Sequence, residues 1–291
     1  MSLLEELKYR FKQDNAIVKI IMMNVMVFLA FALMNVVAYL FNSGAGSLGL
    51  TKYFMLPASL GNFIFQPWTL LTYMFLHEGI FHILFNMLWL YWLGQLFQQY
   101  LGNSKTYQVY FLGGIFGGII YMLSYNIFPA FSASVDQSYA LGASAGVLAI
   151  VVATATLLPD YQVMLFLLGS VRLKYIALFS VLLDLINIPN GNAGGHIAHV
   201  GGAAFGYIYI KFLYSQSTIP GFLDRVFDSI GNLFKPKPRL KIHHKTTYMR
   251  VENNQKPTQV EIDLILDKIS KNGYESLSKK EKEILFKASK D

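Results

Sequence analysis

Apolar residues in this chain gather into long runs. Six of them reach or approach the length a bilayer demands: 20–41, 68–97, 106–128, 142–158, 175–188 and 196–215. A helix rises about 1.5 Å per residue, so crossing about 30 Å of hydrocarbon takes about 20 apolar residues. The pattern therefore predicts six transmembrane helices. The second run opens at Pro67-Trp68, a proline suited to a first helical turn beside an aromatic suited to the membrane interface. The fifth is short for a full crossing, and the segment before it, Tyr161–Ser170, is expected to lie along the interface. The first run follows a mixed-charge start (Lys8, Arg10, Lys12, Lys19) without a small-residue cleavage site, so it reads as a retained helix and not as a signal peptide.

Outside the runs the pattern changes. The loop 42–67 is glycine-rich (Gly44, Gly46, Gly49, Gly61) yet carries Phe54, Met55, Leu56, Phe63, Ile64 and Phe65, which suits a loop that dips into the membrane against protein. After the last run, Phe222, Leu223, Val226, Phe227, Ile230, Leu233 and Phe234 recur at helical spacing. They fit an interfacial amphipathic helix or, equally, a small soluble core helix. Residues 235–258 are basic and proline-containing, a linker by composition. Residues 259–290 read as two short helices, divided at Asn272-Gly273 and with a capping box at Ser278-Lys-Lys-Glu281. The expected organisation is a cytoplasmic segment 1–19, a membrane domain 20–215, an amphipathic helix and linker 216–258, and a helical hairpin 259–291.

Composition sharpens this reading. Only 14% of the 291 residues are charged, against about 25% in ordinary soluble domains. Residues 20–210 contribute just Lys52, Glu78, Lys105, Asp136, Asp160, Arg172, Lys174 and Asp184. The fold class expected is an all-α polytopic membrane protein. The absence of cysteine excludes disulfides, cysteine-ligated metals and thiol nucleophiles. Of the net charge of +7, residues 216–291 supply +5, with 15 Lys/Arg against 10 Asp/Glu. A basic tail facing anionic lipid accounts for that without nucleic acid. Lys and Arg cluster at the two ends and in 159–174, so the positive-inside rule puts both termini in the cytoplasm. The loops 42–67, 129–141 and 189–195 then lie outside. The absence of an organelle transit signal suits a bacterial inner membrane.

Three polar clusters sit where polar groups are costly. Gly142-Ala143-Ser144-Ala145-Gly146 opens the fourth run, and reads either as a small-residue packing face or as a nucleophile in a tight turn. In Gly194-Gly-His196-Ile-Ala-His199-Val-Gly-Gly202, continuing to Gly206, the residues His199, Gly202 and Gly206 share one helix face. Close approach of a partner helix there would meet an imidazole able to take a serine proton. His82 and Asn86 stack four apart, with His77 before them. They serve either as donors to a developing oxyanion or as interhelical hydrogen bonds. A zinc site of His77, His82, His196 and His199 is disfavoured, because no acidic residue stands at helical spacing to complete it and HExxH is absent.

Taken together, these residues resemble the rhomboid family of intramembrane serine proteases over about 68–210. The resemblance rests on Phe81-His82-Ile-Leu-Phe-Asn86-Met-Leu-Trp89, Tyr91-Trp92-Leu93-Gly94, Leu101-Gly102-Asn-Ser-Lys105, Gly142-Ala-Ser144 and Ala198-His199 with Gly202 and Gly206. It implies a six-helix core, a catalytic dyad of Ser144 and His199, and an oxyanion site of His82, Asn86 and the Ser144 amide. It also implies a membrane-embedded first loop at 42–67 and a fifth helix that gates substrate access. Three positions depart from the family pattern. Thr69 replaces the arginine of a Trp-Arg pair, Gln98 stands at an often acidic position, and Leu148 stands where an aromatic often stacks under the histidine.

The sequence offers no carboxylate to orient His199, and Asp184 reads as a structural hydrogen-bonding group. The expected activity is cleavage of single-span membrane proteins near the outer face, with neither cofactor nor metal. The alternative is a non-catalytic rhomboid-like scaffold that binds transmembrane helices.

Overall fold

An asparagine sets the start of the first helix. The computed structural model describes residues 15–41, 48–165, 169–215 and 258–289, together with 221, 224, 225, 227 and 229. Helix α1 (Ala16–Leu40) begins where Asn15 accepts from the Val18 amide at 3.0 Å. The Ala16 and Ile17 amides donate to Asn103 Oδ1 and Gln98 Oε1, each at 3.0 Å. A helix start leaves its first amides without internal partners, and these three side chains supply them. Gln98 thus has a defined role as a neutral acceptor, and the helix begins four residues earlier than its apolar run.

The second span does not begin at Pro67-Trp68. After α2 (Leu48–Lys52), the chain forms α3 (Leu60–Phe65), α4 (Thr69–Thr72) and a 3₁₀ turn at Tyr73–Phe75. Long-range anchors hold this segment in short pieces. Trp68 Nε1 donates to the Tyr53 carbonyl at 2.8 Å, Thr72 Oγ1 to that of Phe54 at 2.9 Å, and Tyr73 OH to that of Gly114 at 2.6 Å. Buried Thr69 turns its hydroxyl onto the Gln66 carbonyl at 2.6 Å, so the residue that replaces the arginine spends its own polar group locally. The long helix α5 (Ile80–Ile127) starts only after extended Gly79, which leaves His77 and Glu78 in the preceding loop. It holds two expected spans as arms on either side of Gly102, whose φ of 77° breaks the helix in a region other residues avoid.

Helix α6 (Ser144–Leu157) follows a two-residue ladder between β1 (Leu56–Pro57) and β2 (Tyr139–Ala140). Its 14 residues extend about 21 Å, less than the hydrocarbon thickness. It is an inner helix, with Ala149, Ile150, Ala153 and Thr154 fully buried. The Tyr161–Ser170 segment, expected along the interface, carries strand structure. Gln162–Leu165 (β3) pairs antiparallel with Gly169–Arg172 (β4), and Asp160 bonds Lys174 at 2.7 Å beside them. Helices α7 (Leu173–Asn187) and α8 (Ala193–Leu213) complete the membrane fold.

Glycines bring α6, α8 and the second arm of α5 into backbone contact. A Cβ at Gly202 would overlap the Ala145 carbonyl, one at Gly206 the Ala149 carbonyl, and one at Gly117 the Ala198 carbonyl. Lipid gives apolar helices little reason to associate, so such close packing has to supply the attraction. The exterior is correspondingly apolar, with Leu33, Phe65, Phe81 and Ile186 all more than 60% exposed. By length and hydropathy, Ala16–Leu40, Ile80–Ile127 and Leu173–Asn190 can cross a membrane, and α6 and α8 pack among them. The chain is an all-α polytopic membrane protein.

Beyond α8, Gly221, Asp224, Arg225, Phe227 and Ser229 are helical, while the other positions of the expected amphipathic helix, and the linker up to residue 257, lie outside the described residues, as do 1–14. Asp224 bonds Lys105 Nζ at 2.6 Å and Gln108 Nε2 at 2.7 Å, tying this segment to the second arm of α5. Partial burial pushes the Asp224 carboxyl up, but those two donors outweigh it and hold it below the usual carboxylate range. A separate compact unit covers Pro236–Asp291. Within it, α9 (Gln259–Asn272) carries a Thr258/Glu261 capping box, and α10 (Lys279–Ala288) starts with the Glu281 carboxylate on the Ser278 amide at 2.7 Å.

The backbone contact at Gly202 gives a direct test. Gly202→Leu is expected to cost more than about 2 kcal/mol, seen as a thermal midpoint in detergent lowered by several degrees. Gly61→Ala, where a Cβ would meet only Ser59 Oγ at 3.7 Å, is expected to leave the midpoint unchanged.

Candidate active site

Ser144 is the first residue of α6, so its amide lies among those with no acceptor inside the helix. The turn before it is fixed by the Gly142 amide, which donates to the Tyr73 carbonyl at 2.9 Å. Gly142 has φ of 132°, and a Cβ there would stand 3.1 Å from His82 Nε2 and 3.2 Å from Ser144 Oγ. The glycine thereby keeps open the space between imidazole and hydroxyl.

His199 projects from α8 on the face that bears Gly202 and Gly206. Close helix approach carries its Nε2 to 2.6 Å from Ser144 Oγ. The opposite nitrogen, Nδ1, lies 2.9 Å from Asp184 Oδ1. The same carboxylate oxygen is 2.8 Å from His196 Nδ1. The expectation that no carboxylate is placed to orient His199 is therefore corrected. Asp184 comes from α7, and it spans the gap to both histidines of α8.

With Asp184 ionised, hydrogen-bond chemistry orders the proton positions. An ionised carboxylate only accepts, so both Nδ1 atoms carry hydrogen and donate to Asp184. A neutral His199 ring then has its lone pair on Nε2, where it accepts from the Ser144 hydroxyl.

His82 and Asn86 lie on the first turns of α5, facing the same place. Asn86 Nδ2 donates one hydrogen to the His82 carbonyl at 2.8 Å. The Glu78 amide approaches His82 Nδ1 at 3.5 Å, which favours hydrogen on Nε2, the nitrogen directed at Gly142. A cavity of about 360 Å³ is lined by Phe81, His82, Phe85, Asn86, Trp89, Ser144 and His199. A second, of about 260 Å³, shares Asn86, Trp89, Ser144 and His199 and extends past Leu148 to Ser180 and Asp184.

All four site residues expected from the sequence thus border one space. His77 lies beside His82, its ring 5.0 Å from that of His82, and its ring nitrogens are buried. Sequence reasoning did not place Asp184 beside His199, and it treated His196 only as a rival base. A signal existed, since an acid inside an apolar helix must find donors, but nothing local to 184 says which.

The acid missing from the sequence-level metal argument arrives from another helix. Ligand atoms of Asp184, His196 and His199 lie within 4.8 Å of one another. Tetrahedral ligands about 2.1 Å from zinc stand about 3.4 Å apart. Asp184 Oδ1 meets the two nitrogens at 2.8 and 2.9 Å, the spacing of direct hydrogen bonds.

The model of the rhomboid domain family matches residues 65–216, just over half of the chain, and the chain belongs to that family. A second family model, a family of unknown function (DUF6576), matches residues 246–291. Similar proteins include a rhomboid protease GlpG of Photorhabdus laumondii, 28% identical over 90 residues, covering 31% of each chain. RHOMBOID-like protein 12, mitochondrial, of Arabidopsis thaliana is 29% identical over 145 residues, 47% of this chain and 43% of its own. A rhomboid protease GlpG of Salmonella newport is 32% identical over 56 residues, 19% of this chain and 20% of its own. The matches span less than half the length of these relatives.

The natural absence of cysteine permits a clean test of the cavity. Ser180→Cys, on the cavity wall, is expected to react with a water-soluble methanethiosulfonate reagent in liposomes. Thr154→Cys, fully buried on α6, is expected to stay unmodified. Mass spectrometry of the intact protein reads both.

Proposed function

We propose that this protein is an intramembrane serine endopeptidase acting on single-span membrane proteins. The observation that carries the reading is the 2.6 Å contact between Ser144 Oγ and His199 Nε2, inside a cavity of a membrane-embedded fold. A serine hydroxyl is a poor nucleophile until a base takes its proton. In the proposed first step, Ser144 Oγ bonds to the scissile carbonyl carbon as its proton passes to His199 Nε2 and the carbonyl π pair moves to oxygen. Three donors suit that oxyanion: the Ser144 amide, the Nε2–H of His82 and the second amide hydrogen of Asn86. His199 then protonates the leaving amine as its C–N bond breaks, and a water that yields its proton to the same base attacks the acyl carbon, freeing the new carboxyl end and the Ser144 hydroxyl.

Peptide bonds within a formed helix are sterically closed to a nucleophile. Favoured substrates therefore unwind readily near the membrane surface and carry small residues at the cleaved bond. We further propose, from the placement of Lys and Arg, that both termini are cytoplasmic and the site opens towards the outer face of a bacterial inner membrane. No cofactor enters this chemistry, and the partners are the bilayer and the substrate helix.

In liposomes with a single-span substrate, Ser144→Ala and His199→Ala are each expected to abolish cleavage while leaving the thermal midpoint near that of the native protein. His82→Ala and Asn86→Ala are expected to lower kcat by about 10- to 1000-fold. Continued cleavage by purified Ser144→Ala would overturn the assignment. A native protein that binds transmembrane helices but leaves every one intact would favour the scaffold.

A further inference from the structure

Asp184 is the one acid within α7, and a carboxylate in an apolar helix is expensive unless it meets donors. It meets two, both at the same oxygen: His196 Nδ1 at 2.8 Å and His199 Nδ1 at 2.9 Å. Its side chain is 13% exposed, so the bonds lie largely out of solvent, where they are strong. The second of them continues through the ring to Ser144 at 2.6 Å. The chain of contacts runs carboxylate, imidazole, hydroxyl, and crosses from α7 to α8 to α6.

We infer that Asp184 is the positioning residue of the site, turning the Ser144–His199 pair into a three-member relay, with His196 holding the carboxylate in place. The inference rests on the protease reading above and adds to it.

Two effects follow from the geometry. The acceptor at Nδ1 keeps hydrogen there, so Nε2 stays free to receive the serine proton. When Ser144 Oγ bonds to the scissile carbon, that proton converts His199 to an imidazolium, and the carboxylate offsets the new positive charge. The ring also needs something to hold its plane. Leu148, on the cavity wall, offers no aromatic face, and among the described residues the ring paired with His199 is that of His196, edge-on at 6.1 Å. Orientation therefore falls to the hydrogen bond. His196, the second donor, limits rotation of the carboxylate and keeps Oδ1 aimed between the two rings.

A purely structural role has to be separated from this one. The buried residues of α7 are Leu173, Ile176 and Ala177, all in its first half, so the Asp184 contacts also help to hold its second half against α8. The split between kcat and KM makes the separation, together with recovery by the conservative variant.

The experiment measures kcat and KM on a single-span substrate in liposomes, the rate of Ser144 modification by a fluorophosphonate, and the thermal midpoint. Asp184→Asn keeps shape and removes charge. It is expected to lower kcat and the labelling rate together by at least tenfold, with KM and midpoint little changed. Asp184→Glu is expected to recover part of that loss, and His196→Ala to lower kcat by several-fold. Native kcat in Asp184→Asn would overturn the inference while leaving the protease reading intact. So would a loss that appears only alongside a collapsed midpoint or an equally raised KM. A native protein that neither cleaves nor labels at Ser144 would overturn the protease reading, and this inference with it.

Discussion

Two helix backbones can touch only where side chains are missing, and that constraint organises the membrane domain. Gly202 and Gly206 on α8 lie against the carbonyls of Ala145 and Ala149 on α6, leaving no room for a Cβ at either position. His199 stands one turn before Gly202, and Ser144 one residue before Ala145. Bringing these backbones together thus brings hydroxyl and imidazole to 2.6 Å. In a bilayer the contact also carries stability, because dispersion between closely fitted backbones replaces a hydrophobic drive that lipid largely cancels.

The second constraint is length. Helix α6 is too short to cross hydrocarbon alone and survives because other helices surround it. Its first turn opens on a cavity that Ser144 shares with His82, Asn86 and His199. Polar backbone and charged groups are tolerated at membrane depth only when protein or water satisfies them. The segment from Tyr53 to Phe75 obeys the same rule, with Trp68, Thr72 and Tyr73 donating to carbonyls distant in sequence.

Much of this was legible in the residues. The apolar runs gave the approximate place of the long helices, and the His199, Gly202, Gly206 spacing identified the face that meets α6. His82 and Asn86 were readable because a polar pair one turn apart has one common direction. Reading failed where partners are remote. Pro67-Trp68 has the local chemistry of a helix start, yet the side chains after it are spent on Tyr53 and Phe54, and α5 waits until Ile80. Asp184 and His199 lie on different helices, so no spacing rule pairs them. The β3–β4 hairpin escaped because an apolar strand and an interfacial segment have the same composition.

In the proposed chemistry Ser144, His199, His82 and Asn86 converge on one reacting carbonyl. An experimental structure of the protein after fluorophosphonate treatment tests it most directly. Phosphorus is expected on Ser144 Oγ, with the phosphoryl oxygen within about 3 Å of the Ser144 amide and of His82 or Asn86. Phosphorus on another side chain, or a phosphoryl oxygen turned away from all three donors, would contradict it.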